Sequence, residues 1–252
     1  MESKTVHAIV LRRRDAGESD RRLTLLTREE GKIDAVAKGA RKAGSRLAGS
    51  SEPLMSTILL LAPGKRSMFI TQAQPQSSFR GLRADYDRLS YGLAMLELNE
   101  AMLPWHEPLP DAYELLGQSL HALEAHAKPE VAFVWCQLAL LRLSGFLPQF
   151  GECVQTGSAV SEAMPFLSPA AGGYVAQEHV GMLLDGFQAR AEVLYGLSKT
   201  AQLAEPPPNL KLAPECLLAL YPFWRHVADM PLPSLESCLN ELRGRDPAEA
   251  NA

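Results

Sequence analysis

Cysteine is scarce in this 252-residue chain, and the four present, Cys136, Cys153, Cys216 and Cys238, show no paired spacing. That scatter argues against a disulfide framework or a C-x-x-C redox site and leaves reduced, mostly buried thiols. No uncharged apolar run approaches the ~18 residues of a membrane span. The start, MESKTVHAIV, lacks the basic region and long apolar stretch of a secretory signal, so a soluble cytoplasmic chain is expected and no membrane partner. Catalytic constellations are missing as well. In HALEAH the two histidines, His121 and His126, are five residues apart, whereas metalloprotease helices need a spacing of four. The segment Gly39 to Ser45 has two glycines of a phosphate-binding loop but no lysine after the second. Neither G-x-S-x-G nor a deaminase H-x-E with P-C-x-x-C occurs, and the chain is read as no enzyme. Aromatic residues are few where they would matter: up to residue 80 there are only Phe69 and Phe79.

What the chain has is a divided charge. Its net charge of −4 hides 16 lysines and arginines against 8 acidic residues over 1–83, a net of +8, followed by −12 over 84–252. A basic module precedes an acidic one, which points to a polyanion partner for the first.

The periodicity changes at nearly the same place. Short alternating runs at Thr5–Arg12, Arg22–Thr27, Ile33–Lys38, Met55–Leu61 and Met68–Gln72 are separated by turn residues such as EEGK and APGK. Five strands in so short a span, with the long connection GARKAGSRLAGSSEP after the third, suit a five-stranded OB-fold β-barrel. An SH3-like barrel or an open sheet satisfies the same pattern. From Leu82 the apolar period becomes helical, with Leu82, Tyr86, Leu89, Leu93, Leu96 and Leu103 on one face of a helix ending at Pro104. Further helices are expected over 111–127, 129–145, 182–197, 214–228 and 234–243, and disorder in the tail RDPAEANA. The third helix is apolar nearly all round and is expected at the centre of its domain. The reading is an α+β multidomain chain: a basic, nucleic-acid-binding barrel over 1–80, then an acidic all-α helical domain over 81–252.

Candidate phosphate contacts are the lysines and arginines at strand ends and in the long connection. The loop residues Lys38, Arg41, Lys42 and Arg46 rank first, then Arg12, Arg13 and Arg14 with Arg21 and Arg22, then Lys65 and Arg66. Stacking platforms, worth on the order of 1–3 kcal/mol per base, are wanting in the barrel sequence. Binding is therefore expected to be dominated by the backbone, tolerant of sequence, strongly salt-dependent and open to duplex as well as single strands.

One segment has the turns of a metal-bound knuckle without its ligands. FGECVQTGSAVSEAMPFLSPAAGGYVAQEH, residues 150–179, carries Gly151, Gly157 and Gly172-Gly173 but one thiol, Cys153, with Thr156 where a C-x-x-C partner would stand. A structural zinc needs four ligands, and Cys153 with His179 supplies two at most. No metal or other cofactor is expected, and Phe150, Met164, Phe166 and Tyr174 are the candidate apolar substitute.

The stretch Ile9 to Met55 resembles the N-terminal signature of the RecO family of bacterial recombination mediators. The likeness lies in G-E-S-D at Gly17 to Asp20, L-x-T-x-x-x-G-K around Leu26 to Lys32, A-K-G-A-R-K at Ala37 to Lys42, and S-R-L at Ser45 to Leu47. LALLRLSGFLPQF, Leu138 to Phe150, resembles the helix leading into that family's zinc-finger-like segment, here degenerate at about residues 148–180. The resemblance implies an OB-fold and a helical domain in a nucleoid-associated protein that binds single- and double-stranded DNA and anneals complementary strands. It also implies action with RecR and single-stranded DNA-binding protein to load RecA. The acidic tail of single-stranded DNA-binding protein would sit in a groove of the helical domain, with Trp135, Leu138, Leu141 and Arg142 as candidate lining. The alternative from the residues alone is an RNA-binding or scaffold OB-fold without annealing activity.

Overall fold

The computed structural model describes residues 3–65 and 67–244. Arg66 and the tail over 245–252 lie outside the described residues. The chain divides into two compact units, 1–124 and 125–252. The first unit therefore includes helices beyond the change of periodicity near residue 81.

In the first unit, five strands close into a barrel: β1 (Lys4–Ala16), β2 (Asp20–Thr27), β3 (Gly31–Ala37), β4 (Ser56–Pro63) and β5 (Met68–Ser77). Around the barrel the order is β1-β2-β3-β5-β4, and β4 returns antiparallel to β1, from Lys4↔Leu61 to Ile9↔Ser56. The seam between β3 and β5 is parallel and short, Ala35↔Met68 and Val36↔Phe69. This is the OB-fold arrangement expected from the five runs. Alternation fills the interior with Val6, Val10, Leu23, Leu25, Leu59 and Leu61. Between β3 and β4 the connection forms a run of turns and then a single-turn helix, α1 (Leu47–Ser50), which was too short to show a period in the sequence.

The expected first helix is two. α2 (Arg80–Ala84) stops at Asp85, whose extended backbone restarts the chain as the N-cap of α3 (Tyr86–Met102), its carboxylate accepting from the Arg88 amide at 2.9 Å. α4 (Pro110–Ala125) completes the unit. The link between α3 and α4 lies along the start of β3: Trp105 bridges Lys32, and the His106 amide donates to the Lys32 carbonyl at 2.9 Å. Gly31, at φ +67°, is required here, because a Cβ would stand 1.8 Å from the Glu107 carbonyl oxygen.

The second unit packs α6 (Ala191–Thr200) and α7 (Ala213–Val227) on α5 (Pro129–Leu143), and α8 (Pro233–Gly244) on α7. As its all-round apolar sequence demands, α5 is buried continuously from Val131 to Leu141. Its one polar interior residue, Gln137, accepts from the Trp224 indole at 2.7 Å. The helix expected over 182–197 is overturned in its first half. Residues 187–188 form a strand, β8, which joins β6 (Phe166–Ser168) and β7 (Gly173–Val175) in a three-stranded sheet of order β7-β6-β8. Gly186 at φ +137° breaks any helix there, and a side chain on it would strike the Phe166 ring. All four cysteines are buried and unbridged.

Candidate nucleic-acid interface

The arginines of β1 and β2 fall on two sides of one ladder, and the side decides their use. Arg13 stands opposite Leu23, and Arg21 opposite Ala37, so both point to the inward side, at the barrel end that α1 covers. There both guanidinium groups donate to the same Glu52 carboxylate oxygen, at 2.5 Å from Arg13 and 3.0 Å from Arg21. Arg21 also donates to the Ala48 carbonyl at 2.9 Å and the Ser51 hydroxyl at 2.6 Å. These two candidates brace the barrel end through one shared carboxylate, which offsets only one of their two positive charges; Arg21 is largely buried in this role, whereas Arg13 stays exposed.

On the outward side Arg12 faces Thr24, and Arg14 faces Arg22. Arg12 is ion-paired with the buried carboxylate of Glu100 on α3. The same residue's carbonyl accepts from the Lys32 ammonium at 2.5 Å. Burial pushes the Lys32 pKa down against the pull of Glu100, and burial pushes Glu100 up against the pull of Arg12. Arg12 and Lys32 thus anchor α3 to the wall. Arg14 and Arg22 are exposed cations set directly opposite each other, an arrangement that costs a few tenths of a kcal/mol. Arg22 has a long contact of 3.7 Å to Asp34, and Arg14 makes no ion pair among the described residues.

The long basic connection after β3 is pinned at its start. Gly39 donates to the Asp20 carboxylate at 2.8 Å, and the Arg41 amide donates to the Ser19 carbonyl at 2.9 Å. The Arg41 side chain pairs with Asp15 at 3.4 Å and donates to the Gly17 carbonyl. The turn Gly17 to Asp20 is thereby the dock for the segment Gly39 to Lys42. Lys38 lies over the Phe69 ring, 4.2 Å from its centroid. Lys42 and Arg46 are exposed without a salt bridge among the described residues, as is Lys65 in the β4–β5 turn. Docking of the loop on the β1–β2 turn places Lys42 beside the end of the ladder that carries Arg14 and Arg22.

The candidate groove of the helical domain takes a different form. Leu138 and Leu141 are fully buried, and Trp135, 4% exposed, donates its indole to the Leu203 carbonyl at 3.1 Å. These three are core of the second unit rather than a surface lining. Arg142 is exposed, beside exposed Leu143 and Phe146 at the end of α5.

A family model described as Recombination protein O N terminal matches residues 1–79, and one described as Recombination protein O C terminal matches 83–206. Together they cover most of the chain. The chain belongs to the RecO family. A DNA repair protein RecO of Heliobacterium modesticaldum is 41% identical over 172 residues, 67% of this chain and 62% of that protein. RecO of Nocardioides sp. is 39% identical over 66% of this chain and 70% of the relative, and RecO of Alkaliphilus metalliredigens is 33% identical over 73% and 74%. The chain thus spans about 62% of the length of the first of these relatives.

The residues of the zinc-finger-like segment do not form the four-ligand donor set of a structural zinc. The Cys153 sulfur accepts the Ala176 amide at 3.3 Å, and the Thr156 hydroxyl stands at the second ligand position. Among the described residues no three histidine, cysteine or acidic side chains gather as a metal site. Other bonds hold the hairpin. Val154 donates to the Tyr174 carbonyl at 3.0 Å, the Tyr174 hydroxyl donates to Glu162 at 2.5 Å, and Asp185 accepts from Ser168 at 2.7 Å and Ala170 at 2.9 Å. Phe150 and Tyr174 are buried as expected of a substitute core, but Met164 is exposed and takes no part. Burial alone would raise the Cys153 pKa; hydrogen bonds from Thr156 and the amides of Ala176 and Gln155 outweigh it and bring it to about 7.

Among the described residues no helix is long and apolar enough to cross a membrane.

Proposed function

We propose that this chain is a non-catalytic recombination mediator of DNA repair. In this reading it binds single- and double-stranded DNA, anneals complementary strands and, with RecR and single-stranded DNA-binding protein, promotes loading of RecA. The observation that carries the reading is the outer wall. Arg14 and Arg22 stand opposed and exposed on a closed OB barrel, next to the docked loop that presents Lys42. Like charges held together with, among the described residues, only the long Arg22–Asp34 contact to offset them relax when an anion bridges them, and a phosphate backbone supplies that anion. Two strands brought to such a wall repel each other less, which favours pairing.

The test is annealing of complementary labelled strands coated with single-stranded DNA-binding protein. Wild type is compared with a variant carrying Arg14→Ala, Lys42→Ala, Arg46→Ala and Lys65→Ala. The expected result is acceleration by wild type that the variant loses while its melting temperature is kept, with a salt slope lower by roughly one per contact removed. Intact wild type that speeds no annealing at any salt would overturn the reading in favour of an RNA-binding or scaffold role.

A further inference from the structure

We propose that Trp105 is a base-stacking platform for single-stranded nucleic acid, built against the start of β3 by a segment outside the barrel sequence. The proposal rests on the nucleic-acid reading above and adds to it a contact of different chemistry. Of the three tryptophans, Trp224 is fully buried, Trp135 is 4% exposed and Trp105 is 46% exposed. The indole is not a loose surface ring. One side is occupied by the buried Lys32 ammonium, 4.7 Å from the ring centroid, so its exposed area lies on the rest of the ring.

The backbone beneath it is fixed from both directions. Trp105 bridges Lys32 in parallel, and the next amide, His106, donates to the Lys32 carbonyl at 2.9 Å. His106 itself has φ +59°, a conformation that costs a non-glycine residue on the order of 1 kcal/mol or more and survives only where the surroundings impose it. Gly31 leaves no space between β3 and this link. An exposed aromatic ring held by that many constraints has already lost the freedom that binding would otherwise remove.

The ring stands at the Gly31 end of the wall, over Lys32, which donates to the Glu100 carbonyl while Arg12 pairs with that residue's carboxylate. Exposed Arg14 and Arg22 lie toward the other end, where Arg22 is opposite Val36, so a strand stacked on Trp105 would run along the wall to reach them. Every base offers a π-face, so such a contact tolerates any sequence, and it is available only to unstacked single strands. The wall supplies salt-sensitive attraction common to both forms of DNA, whereas the ring distinguishes single strand from duplex.

The experiment uses the full chain, a dT oligonucleotide, a duplex of mixed sequence and the intrinsic tryptophan fluorescence. The expected result is quenching of wild-type emission by the single strand. Trp105→Ala should weaken single-strand binding on the order of tenfold and leave duplex binding and the salt slope unchanged, in a chain that still melts cooperatively above the assay temperature; Trp105→Tyr should recover most of the loss. Single-strand binding by Trp105→Ala at wild-type strength overturns the platform alone. Wild type that binds neither DNA overturns the nucleic-acid reading and the platform with it. Equal losses for duplex and single strand overturn the stacking role in favour of a structural one.

Discussion

The mouth of the barrel and its outer wall use arginine from the same two strands in opposite ways. At the mouth, Arg13 and Arg21 converge on one carboxylate, and Arg21 adds two further hydrogen bonds. On the wall, Arg14 and Arg22 face each other with, among the described residues, only a 3.7 Å contact from Arg22 to Asp34 to offset them. A one-residue step along a strand turns a side chain to the other face, so a stabilising cation and one held ready for a ligand can be neighbours in sequence. Charge count alone therefore misjudges such a surface.

Four substitutions sharpen this contrast, in falling order of their effect on stability. Gly31→Ala places a methyl group in the Glu107 carbonyl and forces an unfavourable φ, and should cost about 3 kcal/mol by chemical denaturation, with the link from Trp105 to Glu107 displaced. Arg21→Ala should cost about 2 kcal/mol in the same measurement, since it strips the mouth of a half-buried cation with several partners. Equal stability of Arg21→Ala and wild type would break the distinction between mouth and wall.

Cys153→Ala should remove at most about 2 kcal/mol, and in a pH-dependent manner. The folded thiol ionises near pH 7 against 9.0 unfolded, so the unfolded chain holds the extra proton between these values. Its contribution is complete above pH 9, declines through that window and is lost as pH falls through 7. Thermal melts at pH 6 and pH 9 should converge for wild type and variant at the lower pH and separate at the higher. The smallest effect belongs to Arg14→Ala, which should leave stability unchanged or raise it by a few tenths of a kcal/mol while lowering the salt slope of DNA binding by about one. A marked loss of stability would place Arg14 with the mouth arginines.

The barrel was legible because short apolar and β-branched runs are bounded by turn residues, although β2 itself is buried on both faces from Leu23 to Thr27 and does not alternate strictly. α5 was legible as a central helix for the complementary reason, since no face of it is polar enough for water. The segment over 183–190 was not, because its apolar residues fit a helical period and only Gly186 and the long-range bond of Asp185 to Ser168 forbid it. Among the candidate site residues, sequence marked the cations but not their partners. Glu52 lies 39 residues from Arg13, and Glu100 lies far along the chain from Arg12, so neither pairing has a local trace. The irregularity between Val10 and Arg12 also resets the alternation that assigns β1 side chains to faces. Trp105 was missed because it stands 25 residues or more beyond the barrel strands in sequence, and the Pro104-Trp105 break after α3 was its one available signal.

The seam of the barrel has a consequence for how the unit forms and opens. β1, β2 and β3 are joined by consecutive hairpins, whereas β3 meets β5 through two residue pairs whose partners are 33 positions apart. Closing that gap orders the whole intervening connection for little pairing in return, so the ring should shut late in folding. By the same count its amides are the ones that should exchange with solvent through partial opening while the hairpins remain intact.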